Sequence, residues 1–437
     1  MSDLPRLNVG MVGYAFMGKA HSQAWSNAPR YFDLPVQIGM TALCGRNAER
    51  TQEAADRQGW ASIETDWRAL IARDDIDLID ICTPGDSHAE IAIAALKAGK
   101  HVLCEKPLAN TVAEAEEMAQ AAAEAAERGV FAMVGFTYRR VPAIALARQL
   151  IADGRLGTIR QVRASYQQDW IVDPEFPLVW RLQKDRAGSG SLGDIGAHIA
   201  DLAQFLLDDR IVATSGTLET FVKTRPLMGD GTGLAGATAA AGTGAVTVDD
   251  AAWFVGRFAG GAVGSFEATR FATGRKNALT IEINGSEGSL AWNLEELNVL
   301  HYYDNRLPAV EAGFRRILAT EPETPYYAAW WPTGHTIGWE HGFTHQVVEH
   351  LRGIGEPAFL VAQMRQGCSG ECVESHATIM ATITLQSCRE APADDVRMPA
   401  TRANQRFGYP ILNQSLHRTR FSRATQMILC HLALMRR

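Results

Sequence analysis

The stretch GSLGDIGAHIAD, residues 190–201, brings two carboxylates and an imidazole into one short segment. On an α-helix, at about 100° per residue, Asp194 and His198 stand about 40° apart, with Asp201 about 20° to the other side of Asp194. The three then share one helix face. Gly193 and Gly196 interrupt the start of that helix, and each costs about 1 kcal/mol against alanine. That cost suits a helix whose backbone bound molecules must approach closely. An imidazole with a reference pKa near 6.5 is suited to accept a proton at neutral pH. Asp194, one turn earlier, can bond a hydroxyl or orient and polarise the imidazole. Asp201 is expected further out, as the partner of a backbone or arginine group.

Two further motifs carry chemistry. Gly13-Tyr14-Ala15-Phe16-Met17-Gly18 is G-x-G-x-x-G with alanine in the middle, following an apolar run and preceding a helical pattern. Gly13 permits a tight turn, Ala15 lets backbone approach a pyrophosphate, and Gly18 lets the helix pack on the strand. The helix N-terminus offers N–H donors to phosphate. An acid at the end of the second strand would favour NAD by bonding a ribose hydroxyl. Here Gly45 and Arg46 stand instead, and a guanidinium suits a 2′-phosphate, which favours NADP or dual use. The third motif, Glu105-Lys106-Pro107, ends the fifth apolar run, where open α/β sheets bind ligands. Lys106 would then lie beside a nicotinamide and supply positive charge where an alkoxide develops.

The elements that must position these groups follow from periodicity. Residues 7–12, 38–44, 78–82, 101–105 and 130–136 read as buried parallel strands separated by helical segments, a doubly wound sheet covered on both faces. After a helix near 142–153, strand-like runs at 158–168, 211–222, 249–258, 262–271, 278–284 and 296–303 follow one another with few helices. That is a largely antiparallel, open-sheet α+β domain. The glycine- and alanine-rich residues 228–245 read as a flexible loop. The expected division is a dinucleotide-binding domain over 1–137, a substrate domain over 138–395 and a basic extension over 396–437. The last 37 residues hold seven arginines and no lysine or acid, within a chain of net charge −7.

That net charge argues against nucleic acid as partner. No apolar stretch is long enough to span a membrane, and no secretory signal stands at the start. Seven scattered cysteines read as reduced core thiols of a cytosolic protein. His341 and His345 have a metal-compatible i, i+4 spacing but lack the adjacent acid of H-E-x-x-H, so no metal is expected. His335 and His341 could instead edge a pocket. Cys368 and Cys372 have the wrong spacing for C-x-x-C.

The glycine-rich loop at 13–18, EKP at 105–107 and GDIGAH at 193–198 occur in the order found in the Gfo/Idh/MocA oxidoreductases, which the chain resembles over roughly residues 5–395. YQQDW at 166–170, PLVWRLQK at 177–184 and GSGSLGDIGAH at 188–198 are most similar to members that oxidise levoglucosan and inositols. The resemblance implies an N-terminal Rossmann domain, a C-terminal open-sheet domain and a homodimer or homotetramer built through that sheet. It implies NAD(H) or NADP(H) bound by Gly13, Ala15, Phe16, Met17, Gly18, Arg46, Thr83, Pro84, His88, Glu105 and Lys106. It implies catalysis by Lys106, Asp194 and His198, with Tyr138, Gln168, Trp170 and Arg181 lining the substrate pocket beside them. The activity implied is oxidation of a secondary hydroxyl of a cyclic polyol or pyranose sugar. An NAD-dependent glycoside hydrolase of the same fold and a non-catalytic dinucleotide or sugar sensor are the rivals. The sensor has no use for a proton acceptor.

Overall fold

A computed structural model describes residues 4–228 and 239–355 of the 437-residue chain. The N-terminal part runs β1 (Arg6–Val12), α1 (Phe16–Tyr31), β2 (Gln37–Cys44), α2 (Ala48–Gln58), β3 (Ser62–Glu64), α3 (Trp67–Ile71), β4 (Leu78–Ile81), α4 (His88–Lys97), β5 (His101–Cys104), α5 (Val112–Ala126) and β6 (Ala132–Val134). Its six strands are all parallel, in the order 3-2-1-4-5-6. The apolar runs therefore lie inside, with helices on both faces, as continuous hydrophobic strands require. Strand order reverses between β1 and β4, and the crevice at their carboxyl ends is where such sheets take dinucleotides. Local signals fix the helices. Asn47 caps α2, Gly59 ends it at φ 82°, and Thr111 with Glu114 closes a capping box on α5.

The second part continues with α6 (Pro142–Ala152), β7 (Ile159–Gln167), α7 (Lys184–Ala187), α8 (Ala197–Leu207), β8 (Ile211–Glu219), β9 (Thr224–Met228), β10 (Ala239–Ala245), β11 (Ala251–Phe258), β12 (Val263–Thr269), β13 (Ala278–Gly285), β14 (Gly288–Asn293), β15 (Val299–Asp304), β16 (Arg315–Leu318) and α9 (His341–Gly355). Eight strands form one sheet in the order 16-15-14-13-7-12-11-8, antiparallel except for β12 beside β7. One face is buried under α6 and α8 in a core that includes Ile144, Ile199, Phe254, Phe266 and Trp292. On the other face of β11, Trp253 and Val255 stay exposed, as its alternating burial dictates.

Three expectations need correction. Residues 228–245 are not loop throughout: β10 lies within them and pairs antiparallel with β9. Its alanines and glycines hide the strand, because strand propensity is carried by branched and aromatic side chains. The short strands β14 and β16 also escape the sequence reading. The substrate domain does not hold everything after residue 138: Phe343, Val347, Val348 and Leu351 of α9 join Leu7, Val9 and Trp25 in a core of the first domain. The basic tail and Cys368, Cys372, Cys388 and Cys430 lie outside the described residues. Cys44, Cys82 and Cys104 are buried free thiols, and burial pushes the Cys44 thiol up to about 12.

Candidate active site

The dinucleotide loop has the backbone its glycines imply. Gly13 sits at φ 101°, and a Cβ there would lie 2.8 Å from the carbonyl oxygen of Cys82 across the crevice. A Cβ on Gly18 would come within 2.3 Å of the Gly13 carbonyl oxygen. Only glycine permits this turn and the close approach of α1. No side chain caps α1 and no acid stands in its first turn, so its N–H donors face the crevice. These features fit a dinucleotide pyrophosphate. Ala15 precedes the helix, and Phe16 and Met17 begin it. Phe16 is 57% exposed and stacks on Trp339 with ring centroids 5.5 Å apart. Tyr14 closes over Gly45: a Cβ at Gly45 would meet the Tyr14 ring at 2.2 Å. A side chain at Gly45 would thus require Tyr14 and Thr51 to move, which accords with the absence of an acid there. Arg46 is exposed beside it.

Thr83 and Pro84 follow β4 at the switch point. His88 is buried, with its ring nitrogens 2.8 and 2.9 Å from the carbonyl oxygens of Thr83 and Pro107. Its ring therefore braces two crevice loops from behind. Glu105 also points inward. Its carboxylate is buried against His21 Nε2 at 3.0 Å, which leaves only its backbone to face a ligand.

Lys106 and Asp194, 88 positions apart in sequence, meet. The Lys106 ammonium donates to the Asp194 carbonyl oxygen at 2.8 Å and to Oδ1 at 3.2 Å. The other carboxylate oxygen, Oδ2, accepts from Arg270 Nη2 at 2.7 Å. Burial alone would push the Asp194 carboxyl up, but Lys106, Arg270 and Arg181 outweigh it and hold it well below the usual carboxylate range. Arg181 rests on the Trp180 ring at 4.4 Å.

The expected α-helix starts differently. Leu192–Gly196 form a π turn, and α8 begins only at Ala197. A turn of i→i+5 bonds is wider than 3.6 residues, so the 40° separation of Asp194 and His198 does not hold across it. The wide turn presents the Asp194 carbonyl to Lys106. It is anchored by Asp249, whose carboxylate accepts from Gly190 N, Ser191 Oγ and Leu192 N at 2.7–2.8 Å. Gly196 serves packing: a Cβ there would press on Ala268 and Leu192 at 3.3 Å.

His198, 7% exposed, lies on α8 among Phe136, Tyr138 and Tyr166, the nearest ring centroid being that of Tyr138 at 4.8 Å. A polar chain leads away from this cage. Tyr138 and Tyr166 hydroxyls share a bond of 2.8 Å, Tyr166 and Gln168 each donate to Asn277 Oδ1 at 2.8 Å, and Trp170 donates to Gln168 at 3.0 Å. Arg270 lies over the Trp170 ring at 5.4 Å, which joins this chain to Asp194. Asp201 takes the arginine expected of it: Arg139 Nε donates at 2.8 Å and Nη2 bonds the other oxygen. His341 and His345 do not converge on a metal. His345 Nδ1 donates to Arg140 O at 2.8 Å and its Nε2 accepts from Trp330 Nε1 at 2.6 Å, and burial pushes it down to about 3. His335 bonds Pro332 O, and His341 packs on Trp330.

Arg270, Asn277 and Asp249 are missing from the sequence reading, and Tyr166 enters it only as the first residue of YQQDW. Their only signal was position: Arg270 ends the run GSFEATR, at the same sheet end as Gln167 of β7.

This geometry has counterparts in known proteins. Residues 7–136 match the model of the oxidoreductase family with an NAD-binding Rossmann fold, and residues 144–291 that of the GFO/IDH/MocA C-terminal domain. Levoglucosan dehydrogenase of Pseudarthrobacter phenanthrenivorans is 43% identical over 354 residues, 79% of this chain and 88% of that protein. The chain belongs to the Gfo/Idh/MocA family. As a member it is an NAD(P)-dependent oxidoreductase acting on CH–OH groups. A crystal structure of an oxidoreductase domain protein from Kribbella flavida is 59% identical, with a TM-score of 0.79, covering 89% of this chain and 98% of that one. Levoglucosan dehydrogenase in complex with NADH and levoglucosan is 38% identical, with a TM-score of 0.78, covering 88% and 98%.

Proposed function

We propose that the protein oxidises a secondary hydroxyl of a cyclic polyol or pyranose sugar of inositol, levoglucosan or glucoside type. The observation that carries this is the contact of Lys106 with Asp194 at the carboxyl end of β5, on the same π-turn and helix unit as His198. Similarity to levoglucosan dehydrogenase supports the substrate class.

Gly13–Gly18 and the N-terminus of α1 would hold a dinucleotide's pyrophosphate, and Thr83, Pro84 and Lys106 would line its nicotinamide end. When bound, the nicotinamide supplies the two-electron oxidant. His198 takes the hydroxyl proton on a ring nitrogen as the C–H bond breaks. Asp194, held ionised, accepts from the sugar and orients it. Lys106 stabilises the developing alkoxide by charge. Trp170 and Tyr138 offer apolar walls to the sugar's C–H face, while Gln168 and Arg181 offer donors to its hydroxyl rim.

Arg46 and the acid-free Gly45 support NADP as a cofactor alongside NAD. The open face of the eight-stranded sheet supports a homo-oligomer. Buried free thiols support a reducing, cytosolic location; among the described residues no helix is long and apolar enough to cross a membrane.

The test is reduction of NAD or NADP, followed by nicotinamide absorbance, with inositols, levoglucosan, glucose and xylose. Activity with at least one is expected, with a loss of about 10²–10⁴ in kcat for His198→Ala and a comparable loss for Lys106→Ala. Inert protein that still binds cofactor would establish the sensor instead. Glycoside cleavage without added nucleotide would establish the hydrolase.

A further inference from the structure

Behind the crevice lies a second cluster of ionisable groups, which the reaction above does not use. His21 Nδ1 is 2.9 Å from Asp80 Oδ2, and its Nε2 is 3.0 Å from Glu105 Oε1. Side-chain exposures of the three are 1%, 0% and 5%. Asp80 also accepts from Trp25 Nε1 at 2.7 Å and from the Cys82 thiol at 3.6 Å. The Phe343 ring covers His21 at 5.5 Å. Gly135 makes room for the far carboxylate, since a Cβ there would stand 2.8 Å from Glu105 Oε1.

Donor counting narrows the proton's place to the His21 ring or the Glu105 carboxyl. A carboxylate only accepts, and a neutral imidazole has one N–H. Asp80 receives donors from Trp25, Cys82 and His21, so it is the anion. A neutral ring donating to Asp80 would aim its remaining lone pair at Glu105. With both nitrogens on carboxylates, the ring donates from both only as an imidazolium. The environment acts in the same direction: burial pushes His21 down, but Asp80 and Cys82 outweigh it and carry it well above its ordinary value.

The cluster also spans the site. His21 is on α1, the helix whose first N–H groups face the dinucleotide crevice, and Glu105 precedes Lys106. We propose that His21 is a positioning residue, an imidazolium clamped between Asp80 and Glu105 that fixes Lys106 relative to the dinucleotide helix. The proposal rests on the dehydrogenase reading for its effect on turnover, while the charge of the ring is tested without turnover.

The first measurement is NMR of the ¹⁵N-histidine-labelled full chain, with His21 assigned by its loss in His21→Gln. Both ring nitrogens are expected to be protonated at pH 8, above the ordinary titration range of histidine. A ring with one bare nitrogen at pH 8 would overturn the imidazolium. The second measurement compares wild type with His21→Gln, which keeps one donor, by NADH fluorescence binding and by steady-state kinetics. Expected is a fall in kcat of ten-fold or more, with NADH affinity within three-fold of wild type. The alkaline limb of the kcat profile is expected to move upward, because a positive charge beside Glu105 is lost. Adding Glu105→Gln removes the opposing charge and is expected to bring the limb back. A variant whose limb stays in place, or whose affinity and kcat fall together, would show a merely structural histidine. Protein that binds NADH and shows the doubly protonated ring, yet oxidises none of the sugars, would reject the dehydrogenase reading and leave the clamp standing.

Discussion

At the scale of single residues, the charge of Asp194 decides what the site can do. A half-buried carboxyl flanked only by apolar groups would be neutral in part of the working pH range and could not serve as an acceptor. Lys106 on one oxygen and Arg270 on the other prevent that. Arg270 is 1% exposed, its Nη2 donates to both Asp194 and the Gly190 carbonyl, and among the described residues its Nε and Nη1 find no hydrogen-bond partner. Arg270→Gln removes the nearer of these supports. The Asp194 pKa rises, and an acid limb enters the kcat/KM profile above about pH 4, where a carboxyl ordinarily titrates. The fully supported wild type is expected to show no carboxylate limb there. Activity at pH 7 is expected to fall at least ten-fold, with Arg270→Lys recovering part of it and removing most of the added carboxylate limb. A pH series from 4 to 9 on the three proteins checks this. An equal loss at every pH in Arg270→Gln would mean that the arginine acts on packing alone.

At the scale of elements, the π turn at Leu192–Gly196 is the piece that brings the sequence's own clues to bear. Its start is held from outside by Asp249, and Gly190 fits only because it lacks a Cβ, which would stand 1.7 Å from the Asp249 carbonyl oxygen. Asp249→Ala leaves two buried N–H groups and a hydroxyl without their acceptor, at a cost of about 3 kcal/mol. That corresponds to a drop of about 5 °C in Tm. Activity is expected to fall further than stability, because the Asp194 carbonyl then leaves Lys106, and Asp249→Asn should lie between. Calorimetry beside kinetics at a temperature where all variants are folded separates the two. The same element shows what the sequence could convey. Asp194, His198 and Lys106 stand in motifs, and the parallel strands stand out as apolar runs, so domain order and the principal site residues were legible. The turn type was not, since it depends on a carboxylate 55 residues downstream of Asp194. Nor was the inward aim of Glu105 and His88, because a strand-end motif marks position but not which way the side chain leaves it. Arg270 and Asn277 were unreadable for a related reason: alternation along a strand tells faces apart but does not say which strands become neighbours.

At the scale of the molecule, the two domains are tied by α9, which leaves the second and buries its apolar face against α1 of the first. The helix thus packs on the first domain while the eight-stranded sheet turns its far face outward. That face keeps several apolar side chains in the open among its polar ones. Along β11, Phe254 and Phe258 point into the core, while Trp253 and Val255 on the opposite side are 37% and 52% exposed, and Val263 of the next strand is 40% exposed. A solvated antiparallel sheet alternates to polar groups on its outer face. Here Val255 stands between Ser215 and Ser265, and Trp253 between Thr217 and Glu267, with the Arg163–Glu282 pair at 3.3 Å on the neighbouring strands, so apolar side chains are interleaved with polar ones as on surfaces that partners cover. A surface that pairs with its own copy about a two-fold axis places the same residues on both sides. One glutamate in place of Val255 therefore sets two carboxylates near each other in an apolar contact, and removes the attraction as it adds repulsion. Val255→Glu, whose side chain points away from the core, is expected to stay folded and to convert the oligomer to monomer in light scattering at micromolar concentration. Val255→Thr, of similar shape, should remain associated. A monomeric wild type under the same conditions would assign this face to another partner and remove self-pairing as its purpose.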